Sequence, residues 1–170
     1  MPVNVSNGNR GARFPSIAVG PGDKLHLVWQ ALRNTWKICY SEKSTDAGWS
    51  VPETIAGESD YVVPKLAVDE SANVHVLWLY GGYHSGMRYA ERTGGTWSPQ
   101  TTVVLPDDVM GIALAADSLG NTHALWHEQR VDTLAVESDL VHNEAPEWHV
   151  DTAHLRFGHC ACEPWPLGGG

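Results

Sequence analysis

The sequence is poor in what would tie it to a membrane, a nucleic acid or a disulfide scaffold. Its 170 residues include only 3 cysteines, too few for the multi-bridge framework of a small secreted domain. Cys39 stands in a strand pattern and is expected to be a small buried hydrophobe. Cys160 and Cys162 flank Ala161 in a divergent C-terminal stretch, and a structural zinc site needs a second pair of ligands, so neither a metal nor a cofactor is expected. No apolar run approaches the roughly 20 residues of a membrane-spanning helix. No basic start with an apolar core marks a signal peptide, and the sequence names no compartment. Lys and Arg number 11 against 20 Asp and Glu, a formal net charge of −9, which argues against the basic surface that nucleic acid or an anionic membrane requires. Sustained helical periodicity is missing as well, so the expected class is all-β.

What is present is one segment written three times. Trp29, Trp78 and Trp126 stand 49 and 48 residues apart, and His26, His75 and His123, each three residues earlier, keep the same intervals. A fixed period of this length marks a stacked supersecondary unit. Residues 15–19, 64–68 and 112–116 align as apolar runs of strand length. Turns at 20–23, 69–73 and 117–121, rich in Gly, Asp and Asn, lead into second strands at 25–29, 74–78 and 122–126. Alternation sets 25, 27 and 29 on one face and 26 and 28 on the other; both faces are largely apolar, so the sheet is covered on both sides. A third strand is expected to end near Tyr40 and Tyr89, and a fourth to start at Trp49 and Trp97, with a weaker version at Trp148. Each copy is a four-stranded antiparallel meander, the form of a propeller blade.

This order of features resembles the repeats of sialidase-like, Asp-box β-propellers. The stretch that carries the resemblance is Ser44-Thr45-Asp46-Ala47-Gly48-Trp49, one residue shorter than the usual Asp-box; Glu91 to Trp97 keeps the glycine and Trp without the Asp. Ala12-Arg13-Phe14-Pro15 resembles the Arg-x-Pro motif that in sialidases opens the first blade and supplies one arginine for the substrate carboxylate. Those enzymes also use two further arginines, a Tyr-Glu nucleophile pair and an acid/base Asp. Here arginines are few and no Tyr-Glu pair is evident. The resemblance therefore implies a fold and leaves activity open. A glycoside hydrolase is the alternative function, with Glu128 and Asp108 as the carboxylates to inspect.

Propellers close with about four to eight blades, whereas three repeats use up this chain. The expected organisation is a half-propeller over residues 1–153, with an outer strand at 1–8 and blades at 13–56, 62–104 and 110–153, then an irregular tail at 154–170. Residues 1–8 read like the outer strand at 51–57. Two copies would then exchange outer strands and close a six-bladed homodimeric ring.

A residue repeated in every blade serves the blade, so His26, His75 and His123 are expected to hydrogen-bond a neighbouring strand or turn. Residues that break the repeat are better guides to a ligand. On the rim shared by the blade-to-blade links and the loops between second and third strands, the links supply Arg13, Tyr61 and Asp108. The inner loops supply Arg33, Tyr80, Tyr83, His84, His127, Glu128 and Arg130. Arginines, tyrosines and carboxylates around one mouth suit a sugar or an acidic group. The leading expectation is a binding module without catalytic residues, taking a glycan or a peptide there; a structural assembly unit without a small ligand is the third reading.

Overall fold

The computed structural model describes residues 2–6, 11–32, 34–58, 63–81, 86–104, 109–132, 135–144 and 154–155, with side chains up to Trp126 except those of Val104 and Met110. The first sheet comprises β1 (Arg13–Val19), β2 (Leu25–Leu32), β3 (Trp36–Lys43) and β4 (Glu53–Glu58), antiparallel in chain order. The second repeats this with β5 (Val63–Val68), β6 (Val74–Leu79) and β7 (Met87–Thr93). Its last position is split between β8 (Thr96–Trp97) and β9 (Thr101–Val104), both paired to β7. The third has β10 (Val109–Ala116), β11 (Thr122–Asp132), β12 (Ala135–Glu144) and β13 (His154–Leu155). The class is all-β with antiparallel sheets; among the described residues the one helical element is a 3₁₀ turn at Pro21–Asp23.

Five details differ from the sequence reading. The third strands run on past Tyr40 and Tyr89, because the ladder continues to Leu25↔Lys43 and Val74↔Arg92. In the first sheet Trp49 makes one isolated bridge to Lys43 before β4 begins at Glu53. Prolines at 52 and 99, which cannot donate to a ladder, interrupt both last strands. Residues 2–6 form no strand; Asn4 Oδ1 accepts the Ser6 N–H at 3.1 Å and bends the segment at Val5 and Ser6, a local bond that competes with extended pairing. In the third sheet β11 and β12 stay paired as far as Asp132↔Ala135, so His127, Glu128 and Arg130 are strand residues where loop residues were expected. The stretch expected to be irregular from 154 opens inside this sheet, with Leu155 paired to Leu140.

Alternation decides how the sheets pack. Val28, Ile38 and Tyr40 point to one side of the first sheet and meet Leu66, Val74, Val76 and Trp78 of the second. From the other side of the second sheet, Leu77, Met87 and Tyr89 meet Val109, Ile112, Ala124 and Trp126. Trp29, Ala31 and Cys39 face away from the second sheet, with Val5 laid over them. Cys39 is buried, as its strand pattern implied. Ser16 Oγ accepts the Leu66 N–H at 3.2 Å, tying the first strands of two sheets together.

Candidate functional site

The hairpin turns that lead into β2, β6 and β11 share one end of the sheets, and there the repeated histidines are held. Asp69 Oδ1 accepts the backbone N–H groups of Ser71 and Asn73 at 2.9 and 2.8 Å, and Oδ2 accepts the Asn73 amide at 2.8 Å. His75 Nε2 lies 3.5 Å from Asp69 Oδ2, its Nδ1 lies 2.6 Å from the Tyr89 hydroxyl, and Tyr89 donates to Glu91 Oε2 at 3.1 Å. The third sheet repeats the turn: Asp117 takes the N–H groups of Leu119 and Asn121, the Asn121 amide, and lies 3.2 Å from His123 Nε2. The expectation that these histidines bond a neighbouring strand or turn holds, His75 bonding both and His123 its turn.

The first sheet departs from this scheme. Gly20 stands where Asp69 and Asp117 stand, and a Cβ there would come within 2.9 Å of both His26 Nε2 and Val68 Cγ1, so a carboxylate there would force the His26 and Val68 side chains to shift. His26 Nε2 is buried without a partner. Tyr40 donates its one proton to Glu42 at 2.8 Å, so the 2.7 Å contact between His26 Nδ1 and Tyr40 is an N–H donated to the phenol oxygen. Burial lowers the His26 pKa and keeps the ring neutral.

Asp117 is held at a pKa of about 2, first by the Asn121 amide and then by backbone N–H groups and His123. A lowered carboxylate pKa stabilises the fold fully above the unfolded value near 3.8 and is lost as pH falls toward 2. The stability gap between the wild type and Asp117→Asn should therefore narrow between about pH 4 and pH 2 in urea titrations. A gap that stays constant across that window would remove the carboxylate from the acid response. For Asp69 burial pushes the other way, but the Asn73 and His75 contacts outweigh it and its pKa is also lowered.

Between the second and third sheets this end opens into a groove of about 590 Å³. The second sheet and its turns line it with Asp69, Asn73, His75, Tyr89, Glu91, Thr93, Ser98, Pro99 and Thr101, and the third sheet with Gly120 and Thr122. The described lining offers hydroxyls, an amide, two carboxylates and one phenol ring, and no Lys or Arg. Burial, then the neighbouring Glu91, raises the Tyr89 pKa, so the phenol is neutral; the Tyr40 pKa is raised by burial and its bond to Glu42. Two Tyr–Glu contacts are thus present, Tyr40–Glu42 and Tyr89–Glu91, which corrects the expectation that the chain has none. Residues two apart on a strand share a face, and that spacing was the available signal.

At the opposite end, where the sequence places its ligand candidates, Arg13 lies exposed opposite Gln30 beside a β-bulge. Phe14 at that bulge has φ 49°, as Gly111 has φ 66° at the matching bulge of β10. Tyr80 is half-buried under the Arg88 guanidinium, 4.0 Å from ring centroid to Cζ. Arg88 Nη1 donates to both oxygens of Glu58 at 2.7 Å, and Trp78 Nε1 donates to Glu58 Oε1 at 3.1 Å. Tyr80 is therefore engaged in a structural cluster. Arg33, Tyr61, Tyr83, His84 and Asp108 lie outside the described residues, as do the side chains of His127, Glu128 and Arg130. Among the described residues no group of three or more His, Cys, Asp or Glu side chains is placed to hold a metal ion.

No family model matches the chain, and neither does any curated protein. Among solved structures it is similar to a PL25 ulvan lyase, a polysaccharide lyase, with a TM-score of 0.56 at 10% identity over 78% of this chain and 41% of that one. An ulvan lyase of the same description bound to -[GlcA(1-4)Rha3S]- gives 0.55 at 11% identity over the same shares. A protein of unknown function from Dyadobacter fermentans gives 0.57 at 10% identity, over 81% of this chain and 52% of that one. The chain spans 41 to 52% of the length of these structures. At such identity the likeness is one of fold alone, a series of antiparallel sheets in an all-β chain.

Proposed function

We propose that this chain is a non-enzymatic carbohydrate-binding module whose ligand lies in the groove between the second and third sheets. The observation that carries the reading is the lining, in which Asn73, Thr93, Ser98, Thr101 and Glu91 share one groove with Tyr89. Hydroxyls, an amide and carboxylates along one groove suit a polyhydroxylated ligand, which needs both donors and acceptors. The ulvan lyases of similar fold are named for action on a polysaccharide, which supports a saccharide in general. Asp69 and Glu91, with no Lys or Arg in the described lining, favour an uncharged one here.

The three sheets are then consecutive blades of a sialidase-like propeller. Support comes from the meander repeated three times and from the Ser44–Trp49 connection, in which the Ala47 N–H bonds Ser44 O at 3.2 Å. The Tyr–Glu contacts give the hydrolase alternative little support, because Tyr40 is fully buried and Tyr89 nearly so, which leaves neither phenol open to a substrate.

A neutral and an acidic oligosaccharide panel, titrated by calorimetry, tests the reading. Thr101→Arg, which fills the exposed wall, should weaken binding of a neutral oligosaccharide at least tenfold, about 1.4 kcal/mol. Glu91→Gln should weaken it less, and Arg13→Ala should leave it unchanged, with no new reducing ends or unsaturated products. Binding abolished by Arg13→Ala moves the site to the opposite rim; released product makes the chain an enzyme; absence of any neutral ligand ends the proposal.

A further inference from the structure

The same repeat position is buried or bare according to whether another sheet lies beside it. On the flank of the second sheet that meets the first, Leu66 is 5% exposed, and Val74, Val76 and Trp78 are buried. The matching residues of the first sheet have no such neighbour: Ile17 is 60% and Val19 61% exposed, and Leu25 and Leu27 are half-buried. At the far end of the series the opposite flank shows the complement. Leu125 of the third sheet is 36% exposed, whereas its counterparts Val28 and Leu77 are at 0%. Isolated exposed aliphatics need no explanation, but a run of them along one flank, with Leu125 bared on the complementary flank, does.

Polar groups tell the same story. Trp78 Nε1 donates to Glu58, which the last strand of the preceding sheet supplies. Trp29, its counterpart, has a buried Nε1 without a partner. Val5 lies over Trp29 and Cys39, much as Ile55 of β4 lies on the cluster that holds Trp78. Val5 thus takes the place over Trp29 that Ile55 takes at Trp78.

We propose that the bare flank of the first sheet is a docking surface for the third sheet of a second copy of this chain. The two interfaces inside the chain join unlike flanks of one repeated unit, and the flanks left over are those two halves: Ile17 and Val19 on the first sheet, Leu125 on the third. Each junction is heterologous. Two copies related by a two-fold axis make two such junctions and close a ring of six sheets, within the usual blade range. This goes beyond the carbohydrate reading and does not depend on it.

Light scattering after size exclusion should give the wild-type chain a mass of twice 18.6 kDa. Ile17→Asp alone and Leu125→Asp alone should each give monomers, with β-sheet circular dichroism and a cooperative thermal transition retained; Val51→Asp, at an exposed apolar position off both flanks, should stay dimeric. Mixing the two monomeric variants pairs the unaltered third sheet of one with the unaltered first sheet of the other, so dimer should reappear. A monomeric wild type, dimers that survive both flank changes, or a mixture that stays monomeric would each overturn the proposal. If either variant fails to fold, Val19→Lys or Ala113→Glu takes its place on the same flank and is held to the same outcomes.

Discussion

Trp78→Ala is expected to be the most damaging single change in the chain, costing about 4 to 6 kcal/mol in urea unfolding monitored by tryptophan fluorescence and circular dichroism. Truncating a fully buried Trp typically costs about 3 to 5 kcal/mol in lost burial and cavity. The indole is at zero exposure between the first two sheets, among Val28, Ile38, Val76 and Ala90. The change also strips Glu58 of one donor, which adds about 1 kcal/mol. Since a domain is held together by about 5 to 15 kcal/mol, the variant should be largely unfolded under mild denaturant. Trp29→Ala makes the control within one molecule. That indole has the same repeat position, lies under Val5 in place of a full sheet, and has no hydrogen bond to lose, so about 3 kcal/mol is expected. Equal losses at the two positions would mean that neither the neighbouring sheet nor the Glu58 bond distinguishes them.

The repeat made the fold legible because its physical markers are local. A Gly, Asp or Asn turn closes a hairpin wherever it occurs, and a His followed three residues later by Trp marked each second strand. The structure put all three of these strands where the spacing did. The lengths of the third strands were less legible. Tyr40 and Tyr89 look like strand ends in the sequence, but the ladder runs on through Glu42 and Glu91, whose charges are tolerated because each accepts a tyrosine proton.

The site was hidden for a different reason. A residue repeated in every blade serves the blade, and His75 does so through Asp69 and Tyr89, which tie it to its turn and to the neighbouring strand. They line a groove with Thr101 of the same sheet and Thr122 of the next, and a junction between repeats cannot be seen by comparing repeats one at a time. At the junction of the first two sheets the same level is occupied by Trp97, packed edge-on against Tyr40 at 5.2 Å and donating to Glu53 at 3.0 Å. Glu53 corresponds to Thr101, so the change from carboxylate to hydroxyl was visible in the sequence, but its meaning needed the sheets side by side.

Glu58→Ala should be the second most costly change, by about 3 kcal/mol at neutral pH. Glu58 is 7% exposed and its two oxygens take three contacts, two from Arg88 Nη1 at 2.7 Å and one from Trp78 Nε1 at 3.1 Å. Removing one member of a buried pair leaves the other charged and unmatched, which commonly costs about 3 to 5 kcal/mol. Arg88 keeps part of its surface in water and the Tyr80 ring beneath it, so the lower end applies. Glu58→Gln retains an acceptor for Trp78 but not the charge, and should fall between Glu58→Ala and the wild type. The double change Glu58→Leu with Arg88→Met removes both charges together and should recover part of the loss, because a buried pair is often replaceable by apolar side chains of similar volume. Recovery would show that the cost lies in the stranded guanidinium. If Glu58→Ala instead stays within about 0.5 kcal/mol of wild type, as surface substitutions do, the carboxylate does not join the first sheet to the second, and the packing of Trp78 alone must account for that junction.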